Sequence, residues 1–268
     1  MNKLINWILI SAFIVLAFFS LASNAVAWGP LPAVISTGNA PCDPIGNDDN
    51  TVLLIHSNNI NGSQIFTDTA SGTTEVGGKT LTANGHVQHN TNFYKFAISG
   101  VSFDGTSDCI STPTHSAWEF GTGDFGIGLW LRLTVDRDTM LISNHSGTPA
   151  NNNWVFQYYK TSGILRFTKY PGGTVSLGAA WAPTLNTWYH VEVNRNGNNL
   201  YFFINGTQIA PTGNVTGWNL NATTSLAVGT GADGSTQALS GNMDEIIVKK
   251  GVALHITNFT PPILPYCD

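Results

Sequence analysis

The sequence predicts an all-β protein built as a sandwich of two antiparallel sheets. Residues 188–209, WYHVEVNRNGNNLYFFINGTQI, contain two Asn-Gly dipeptides, and every second residue beside them is apolar. Asn-Gly supplies the left-handed residues of a tight hairpin turn, and this alternation is typical of strands with one buried face. Only 10% of the residues are charged, whereas helical proteins use Glu and Lys on their exposed faces.

The N-terminus has the pattern of a secretory signal peptide. Lys3 precedes an apolar run from residue 7 to 22, and the small residues Ala25 and Ala27 follow. The run is shorter than the roughly 20 apolar residues of a bilayer span, although an uncut membrane anchor is the alternative. We expect residues 1–27 to be cleaved, which leaves a secreted or cell-surface chain without a membrane segment.

Residues 28–50 hold four prolines and no sustained periodicity. We interpret them as an extended arm or linker. A sharper alternative is an arm that docks as a strand on a neighbouring copy and makes a homo-oligomer. Either way, a single domain is predicted to occupy residues 51–268.

Short strand candidates separated by Gly and Asn follow through the whole domain. They include TVLLIHS (51–57), YKFAISGVSF (94–103), FGIGLWLRLTV (125–135), NWVFQYYK (153–160), ILRFTKY (164–170), WYHVEVNR (188–195), LYFFING (200–206) and NMDEIIVKKGVAL (242–254). In the hairpin, the alternation predicts one apolar face and one wetter face that carries His190, Glu192 and Asn194.

Charge excludes two classes of partner. The net charge is −5 and Lys and Arg are not clustered. A nucleic-acid-binding surface or a membrane-surface helix would need a basic patch. We therefore expect neither nucleic acid nor membrane as a partner.

Three cysteines are predicted to meet an oxidising environment after export. Cys42 precedes the first strand and Cys267 is the penultimate residue. Because sandwich folds often bring their ends together, we favour a Cys42–Cys267 disulfide that leaves Cys109 as a buried thiol. The sequence leaves the other two pairings open.

Four motifs together carry a family resemblance. They are FDGTSDCISTP (103–113), FGTGDFGIGLWLRL (120–133), TWYHVEVNRNGNNLYFFINGTQI (187–209) and SGNMDEIIVKKGVALHITNFTPP (240–262). In this order they resemble the laminin-G-like domains of the concanavalin A-like lectin/glucanase superfamily. The resemblance implies a jelly roll of two curved antiparallel sheets, the concave one often forming a ligand groove. Asn58 and Asn59 stand where the family often has an acidic residue after the first strand.

The glucanases of this superfamily use a Glu-x-Asp-x-x-Glu strand. The four glutamates here are Glu75, Glu119, Glu192 and Glu245, and none begins that motif. Asp244 and Glu245 are adjacent, so a regular strand would direct them to opposite faces. We therefore predict no catalytic residues and no enzyme activity.

Calcium is the one cofactor that the sequence suggests. The resemblance implies that some members hold calcium at the rim of the sandwich, and their acidic strand residue corresponds to Asp244. Asp68, in the turn FTDTASG, is a second candidate by position. Calcium takes six to eight oxygen ligands, which the loops between strands supply.

A sugar site needs aromatic platforms with amides beside them. Trp154 and Tyr159 lie near an Asn-rich stretch that includes Asn152 and Asn153. These four residues are the predicted ligand-binding residues.

The main functional hypothesis is a secreted, non-catalytic domain that binds a glycan or a protein surface outside the cell. The alternative is a structural subunit of an extracellular fibre or phage-like particle, assembled through the N-terminal arm. A glucanase-like hydrolase ranks third.

Overall fold

The computed structural model describes residues 41–72, 78–96, 98–145, 152–170, 175–209 and 213–268. These residues form antiparallel strands and two single-turn 3-10 helices, Ser116–Trp118 and Lys160–Ser162. The strands are Thr51–Ile55 (β1), Thr82–Asn84 (β2), Gln88–Asn90 (β3), Gly100–Asp104 (β4), Cys109–Ser111 (β5), Phe125–Leu133 (β6), Thr139–Ser143 (β7), Trp154–Tyr159 (β8), Ile164–Lys169 (β9), Val175–Ala180 (β10), Trp188–Asn196 (β11), Asn199–Ile204 (β12), Thr207–Gln208 (β13), Gly213–Asn214 (β14), Ala227–Val228 (β15) and Ser240–Lys250 (β16).

The strands make two sheets, and the all-β sandwich prediction is confirmed. The first sheet has the order β13-β12-β11-β6-β16-β4-β3, with β1 beside β16 and β14 beside β12. The second sheet has the order β10-β9-β8-β7-β15-β5-β2. The Asn-Gly turn between β12 and β13 has positive φ at both residues, 48° at Asn205 and 74° at Gly206, as a type I′ hairpin requires.

The core between the sheets contains a run of stacked aromatic rings. Phe120 stacks on Phe125 and on Trp154, with centroid distances of 4.5 and 5.0 Å. Phe167 of β9 continues the run, and Trp154 and Phe167 are both fully buried. Each such side chain stabilises the fold by about 1.5–3 kcal/mol through loss of apolar surface. This core fixes the two sheets face to face.

The face of β11 predicted to be wetter is in fact covered. His190, Glu192 and Asn194 are all fully buried. The C-terminal segment, residues 251–268, crosses this face, and the Leu254 N–H donates to Asn194 Oδ1 at 2.8 Å. The expectation of a solvated face was wrong because alternation reports side-chain direction but not what covers the second face.

The two ends of the domain are joined. Cys42 and Cys267 form the predicted disulfide, and Cys109 is a buried free thiol. The Asp43 N–H donates to Pro265 O at 2.7 Å, and the Cys267 N–H donates to Asp43 O at 3.0 Å. Residues 41–50, predicted as part of the arm, therefore pack on the domain, which starts before Thr51. The rest of the arm and the signal peptide, residues 1–40, lie outside the described residues.

A bulge interrupts the long strand β16. Ser240–Met243 pair with β4, whereas Ile246–Lys249 pair with β1. Between them the register shifts, and Glu245 has a φ of 48°. A bulge re-aims side chains and opens a gap between partner strands. Beside the bulge, Glu245 contacts His56, which follows β1, and Asp244 accepts from the Lys95 and Phe96 N–H groups, which precede β4.

Within the described parts of the chain, we find no helix of sufficient length and hydrophobicity to span a bilayer.

Candidate functional site

A pocket of about 250 Å³ lies where β1 ends. We call it the β1-end pocket. Its walls come from the segment after β1, from residues 65–69, from β3 and from the C-terminal segment. The lining residues are His56, Ser57, Asn58, Asn59, Ile65, Thr67, Thr69, His89 and Asp268.

Asp68 positions one wall of this pocket. Its Oδ1 accepts from the Leu54 and Ala70 N–H groups at 2.9 and 3.1 Å, and its Oδ2 accepts from the Lys79 N–H at 2.9 Å. Because neighbouring side chains of an extended segment point in opposite directions, anchoring Asp68 inward directs Thr67 and Thr69 toward the pocket.

His56 lies between a buried and an exposed carboxylate. Its Nδ1 lies 2.9 and 3.0 Å from the two carboxylate oxygens of Glu245, which is 1% exposed. Its Nε2 lies 3.1 Å from Oδ1 of the exposed Asp268. Burial lowers the pKa of His56, but the hydrogen bond to Glu245 and the nearby negative charges outweigh it, so that the pKa is raised.

Two polar atoms of pocket residues lack hydrogen-bond partners. They are Nε2 of His56, which is not aligned with Asp268 for a hydrogen bond, and Oγ1 of Thr69. Both atoms are buried. Since buried polar groups in native proteins are nearly always paired, each such atom calls for an explanation, and a bound ligand is one.

A second histidine of the pocket is fully engaged. His89 Nε2 lies 2.9 Å from the Ile65 carbonyl, which can only accept, so Nε2 carries the proton. Its Nδ1 therefore accepts from the Ser57 hydroxyl at 2.9 Å. The ring also stacks on Phe66 at 4.4 Å. These contacts make His89 a rigid wall of the pocket.

Asp244, the first calcium candidate, is fully buried beside the pocket. Its Oδ2 accepts from the Lys95 and Phe96 N–H groups at 2.8 and 3.0 Å, and its Oδ1 accepts from the Glu245 N–H at 3.0 Å. Burial raises the pKa of Asp244 to about 8, against the pull of these donors. Because backbone donors also occupy Asp68, neither carboxylate has an oxygen directed to open space, and calcium binding stays a prediction.

One group of three potential metal ligands was not foreseen. Single ligand atoms of His86, Asp104 and Asp108 lie within 4.8 Å of one another. The Asp108 carboxylate accepts from the backbone N–H groups of His86 and Asp104, and Asp104 accepts from Thr106. These bonds are those of a folded turn, which the motif FDGTSD forms without a metal.

The predicted sugar-binding residues separate in the structure. Trp154 is fully buried, and its indole N–H donates to Trp118 O at 3.0 Å. Asn153 is fully buried and donates to Asn144 O at 2.6 Å. The Trp154 ring therefore presents no face to a sugar in this conformation. Asn152 is half-buried and donates to Asn221 Oδ1 at 2.6 Å.

Tyr159 lies elsewhere, on the outer face of the second sheet. The Arg166 guanidinium carbon lies 3.5 Å from the centroid of its ring, and both residues are half-buried. We call this pair the sheet-face pair. Arginine already covers the ring, so a sugar could stack on Tyr159 only after displacing the guanidinium. The binding role of these four residues stays a prediction.

Comparison with known protein families gives a match over part of the chain. A profile described as the concanavalin A-like lectin/glucanases superfamily, of the laminin G type, matches residues 104–252, more than half of the chain. No curated protein matches the chain in sequence.

Three solved structures with this fold are similar at low identity. The binding domain of Paraclostridial Mosquitocidal Protein 1 has a TM-score of 0.56 and 15% identity over 76% of this chain and 49% of that one. The ligand-binding domain of botulinum neurotoxin serotype D, in complex with N-acetylneuraminic acid, has a TM-score of 0.55 and 12% identity over 77% and 49%. Domain 4 of AbnA, an extracellular arabinanase from Geobacillus stearothermophilus in complex with arabinotriose, has a TM-score of 0.53 and 17% identity over 68% and 86%.

The chain spans about half the length of the toxin domains. At these identities the likeness concerns the fold alone. Together with the profile match over residues 104–252, it identifies this chain as a member of the laminin-G-like family of the concanavalin A-like lectin/glucanase superfamily.

Proposed function

We propose that this protein is a secreted, non-catalytic domain that binds glycans outside the cell through the β1-end pocket. The observation that carries the proposal is that two buried atoms of the pocket residues, His56 Nε2 and Thr69 Oγ1, have no aligned hydrogen bond. Sugar hydroxyls donate and accept at once, so they suit an imidazole nitrogen and a threonine hydroxyl equally well.

Two of the similar structures support a glycan as the ligand class. One is described in complex with N-acetylneuraminic acid and another with arabinotriose. The Cys42–Cys267 disulfide and the N-terminal sequence support an oxidising, extracellular location. Each observation is independent of the pocket.

The carboxylates near the pocket support binding without hydrolysis. Glycoside hydrolysis uses two carboxyl groups on either side of the scissile bond. Among the lining residues that the structure describes, only Asp268 carries a carboxylate. Glu245 is buried behind His56 and accepts from the Tyr266 N–H at 2.7 Å, so it serves the fold.

The experiment compares the chain and three variants on an array of neutral and acidic glycans. Thr69→Val removes the partnerless hydroxyl at nearly constant shape, and we expect affinity to fall about three- to tenfold. Thr184→Val makes the same change at an exposed site outside the pocket and serves as the matched control. Tyr159→Ala tests the sheet-face pair.

We expect Thr184→Val and Tyr159→Ala to bind as the unmodified chain does. If Tyr159→Ala abolished binding while Thr69→Val did not weaken it, the site would lie on the second sheet. If the folded chain bound no glycan, the proposed function would be withdrawn.

A further inference from the structure

We infer that the β1-end pocket selects a neutral sugar whose two adjacent hydroxyls bind to His56 and Asp268, and rejects sugars that carry a carboxylate. This inference rests on the proposed function and adds the class of ligand. It follows from the position of the proton on the His56 imidazole, the charge around the pocket and the volume of the cavity.

The proton position on His56 is determined by Glu245. Both oxygens of that carboxylate lie within 3.0 Å of Nδ1, and a carboxylate can only accept. Nδ1 therefore carries a hydrogen in either charge state of the ring. Nε2 is therefore the ring atom that gains or loses a proton, and it is also the buried atom without an aligned hydrogen bond.

Asp268 supplies the second contact. Its Oδ1 lies 3.1 Å from Nε2, while its side chain is 72% exposed, so this acceptor faces both the imidazole and solvent. One sugar hydroxyl can donate to the carboxylate while its neighbour bonds to Nε2. Paired hydrogen bonds of this kind fix orientation, and those that involve a charged group are the stronger ones.

Charge around the pocket opposes an anionic ligand. Among the described residues that line it are the Asp268 carboxylate and neither Lys nor Arg. Glu245 lies directly behind His56, and the negative charge of Asp268 acts on the same ring. Like charges at short range in a partly buried site cost free energy, so a sugar carboxylate is disfavoured here. N-acetylneuraminic acid, seen with a similar toxin domain, is of the class that we expect this pocket to reject.

The volume of the pocket and the apolar surface of its lining limit which sugars can bind. A volume of about 250 Å³ is below the roughly 300–1,000 Å³ of sites for drug-sized molecules, so the pocket accommodates a single sugar unit. Within the described part of the chain, no Trp, Tyr or Phe lines the pocket. Ile65, which is 73% exposed, is the apolar surface available to the C–H face of the sugar.

The test uses matched sugars in calorimetric titrations of the full chain. The methyl glycosides of glucose, galactose, mannose and arabinose identify the best neutral ligand. Its uronic acid, which differs by one carboxylate, and its deoxy derivative, which lacks one of the adjacent hydroxyls, are then compared with it. We expect each to bind at least tenfold more weakly.

Asp268→Asn removes the negative charge and keeps an amide oxygen. Because the side chain is exposed, we expect the variant to fold normally. Affinity for the neutral glycoside should fall about tenfold, and the ratio between neutral sugar and uronate should shrink to within threefold. Asp138→Asn, a change of the same type on a residue outside the pocket, is the control.

The outcomes separate the two proposals. A uronate that binds as tightly as the neutral sugar, or Asp268→Asn without effect on affinity, overturns this inference and leaves glycan binding in place. Binding of neither neutral nor acidic sugars removes both.

Discussion

Two histidine–carboxylate pairs contact or include the C-terminal segment, and they differ in what surrounds the imidazole. His255 Nδ1 lies 3.1 and 3.0 Å from the oxygens of Glu192, and His56 Nδ1 lies 2.9 and 3.0 Å from those of Glu245. Both carboxylates are buried. The His255 ring stacks on Phe259 at 3.5 Å, whereas His56 lines the pocket and its buried Nε2 has no aligned hydrogen bond.

The difference shows why such a pair alone is weak evidence of function. The His255–Glu192 pair ties the C-terminal segment to β11 and satisfies a carboxylate that also accepts from Asn194. The His56–Glu245 pair ties the segment after β1 to β16, and it leaves the buried Nε2 of His56 without an aligned hydrogen bond. This atom, and not the pair itself, supports the proposed binding site.

The strongest way to disturb both pairs is to release the C-terminal segment. The Cys42–Cys267 disulfide joins residues 225 positions apart, and loop-closure entropy predicts that it stabilises the fold by about 5.4 kcal/mol. We expect Cys42→Ala/Cys267→Ala to lose a free energy of this size in chemical denaturation. Glycan affinity should fall as well, because Asp268 adjoins Cys267.

Cys109→Ala is the control, since Cys109 is a buried free thiol. Its loss of stability should be smaller, because only the packing of one sulfur is removed. Reductant should destabilise the unmodified chain and Cys109→Ala equally and leave the double variant unchanged. A reductant-insensitive unmodified chain would contradict this account of the C-terminal segment.

Removing the carboxylate of each pair in turn tests whether the two pairs differ in function. Glu192→Ala leaves His255 and Asn194 without an acceptor, and Glu245→Ala does the same to His56 and the Tyr266 N–H. We expect each to lower the free energy of unfolding by about 3 kcal/mol. At a temperature where both variants are folded, only Glu245→Ala should weaken glycan binding, by at least tenfold. Equal effects on binding would show that the pairs do not differ in function.

A third histidine lies under the same segment, and its burial makes the stability of the fold depend on pH. Burial lowers the pKa of His190 to about 4 from an ordinary 6.5, although the negative charge of Glu192 acts in the opposite direction. Between these values the unfolded chain binds a proton at this ring and the folded chain does not. Stability is therefore lost as pH falls from about 6.5 to 4, by about 3 kcal/mol from this group.

NMR titration of the His190 ring measures this pKa directly. The free energy of unfolding of the unmodified chain and of His190→Asn can be compared across the same pH range. The variant should lack this contribution, so its curve should fall less steeply with acid. A ring pKa near 6.5 would show that the C-terminal segment leaves His190 open to water.

Much of the fold could be predicted because its signals are local. Alternation placed β11 and β12, the Asn205-Gly206 dipeptide placed the turn between β12 and β13, and two terminal cysteines indicated closure. The cover over His190 could not be predicted, because residues 251–268 carry no periodicity that would assign them to that face.

The candidate site was harder to predict from the sequence than the fold. The pocket joins His56, Thr69, His89 and Asp268, which share no motif and meet only after two sheets and a bulge have formed. Trp154 was assigned to a surface because Asn residues precede it. The sequence did carry a usable signal. Phe156 and Tyr158 follow Trp154 at every second position, which is the spacing of one face of a strand, and all three side chains are buried.

The central claim is that glycan binds at the β1-end pocket, and mapping of backbone amide shifts during a glycan titration tests it most directly. The account predicts that the largest changes fall on residues 56–59 and 65–69 and at Asp268, with β8 and β9 unaffected. Changes centred on Tyr159 and Arg166, with the pocket unperturbed, would contradict it.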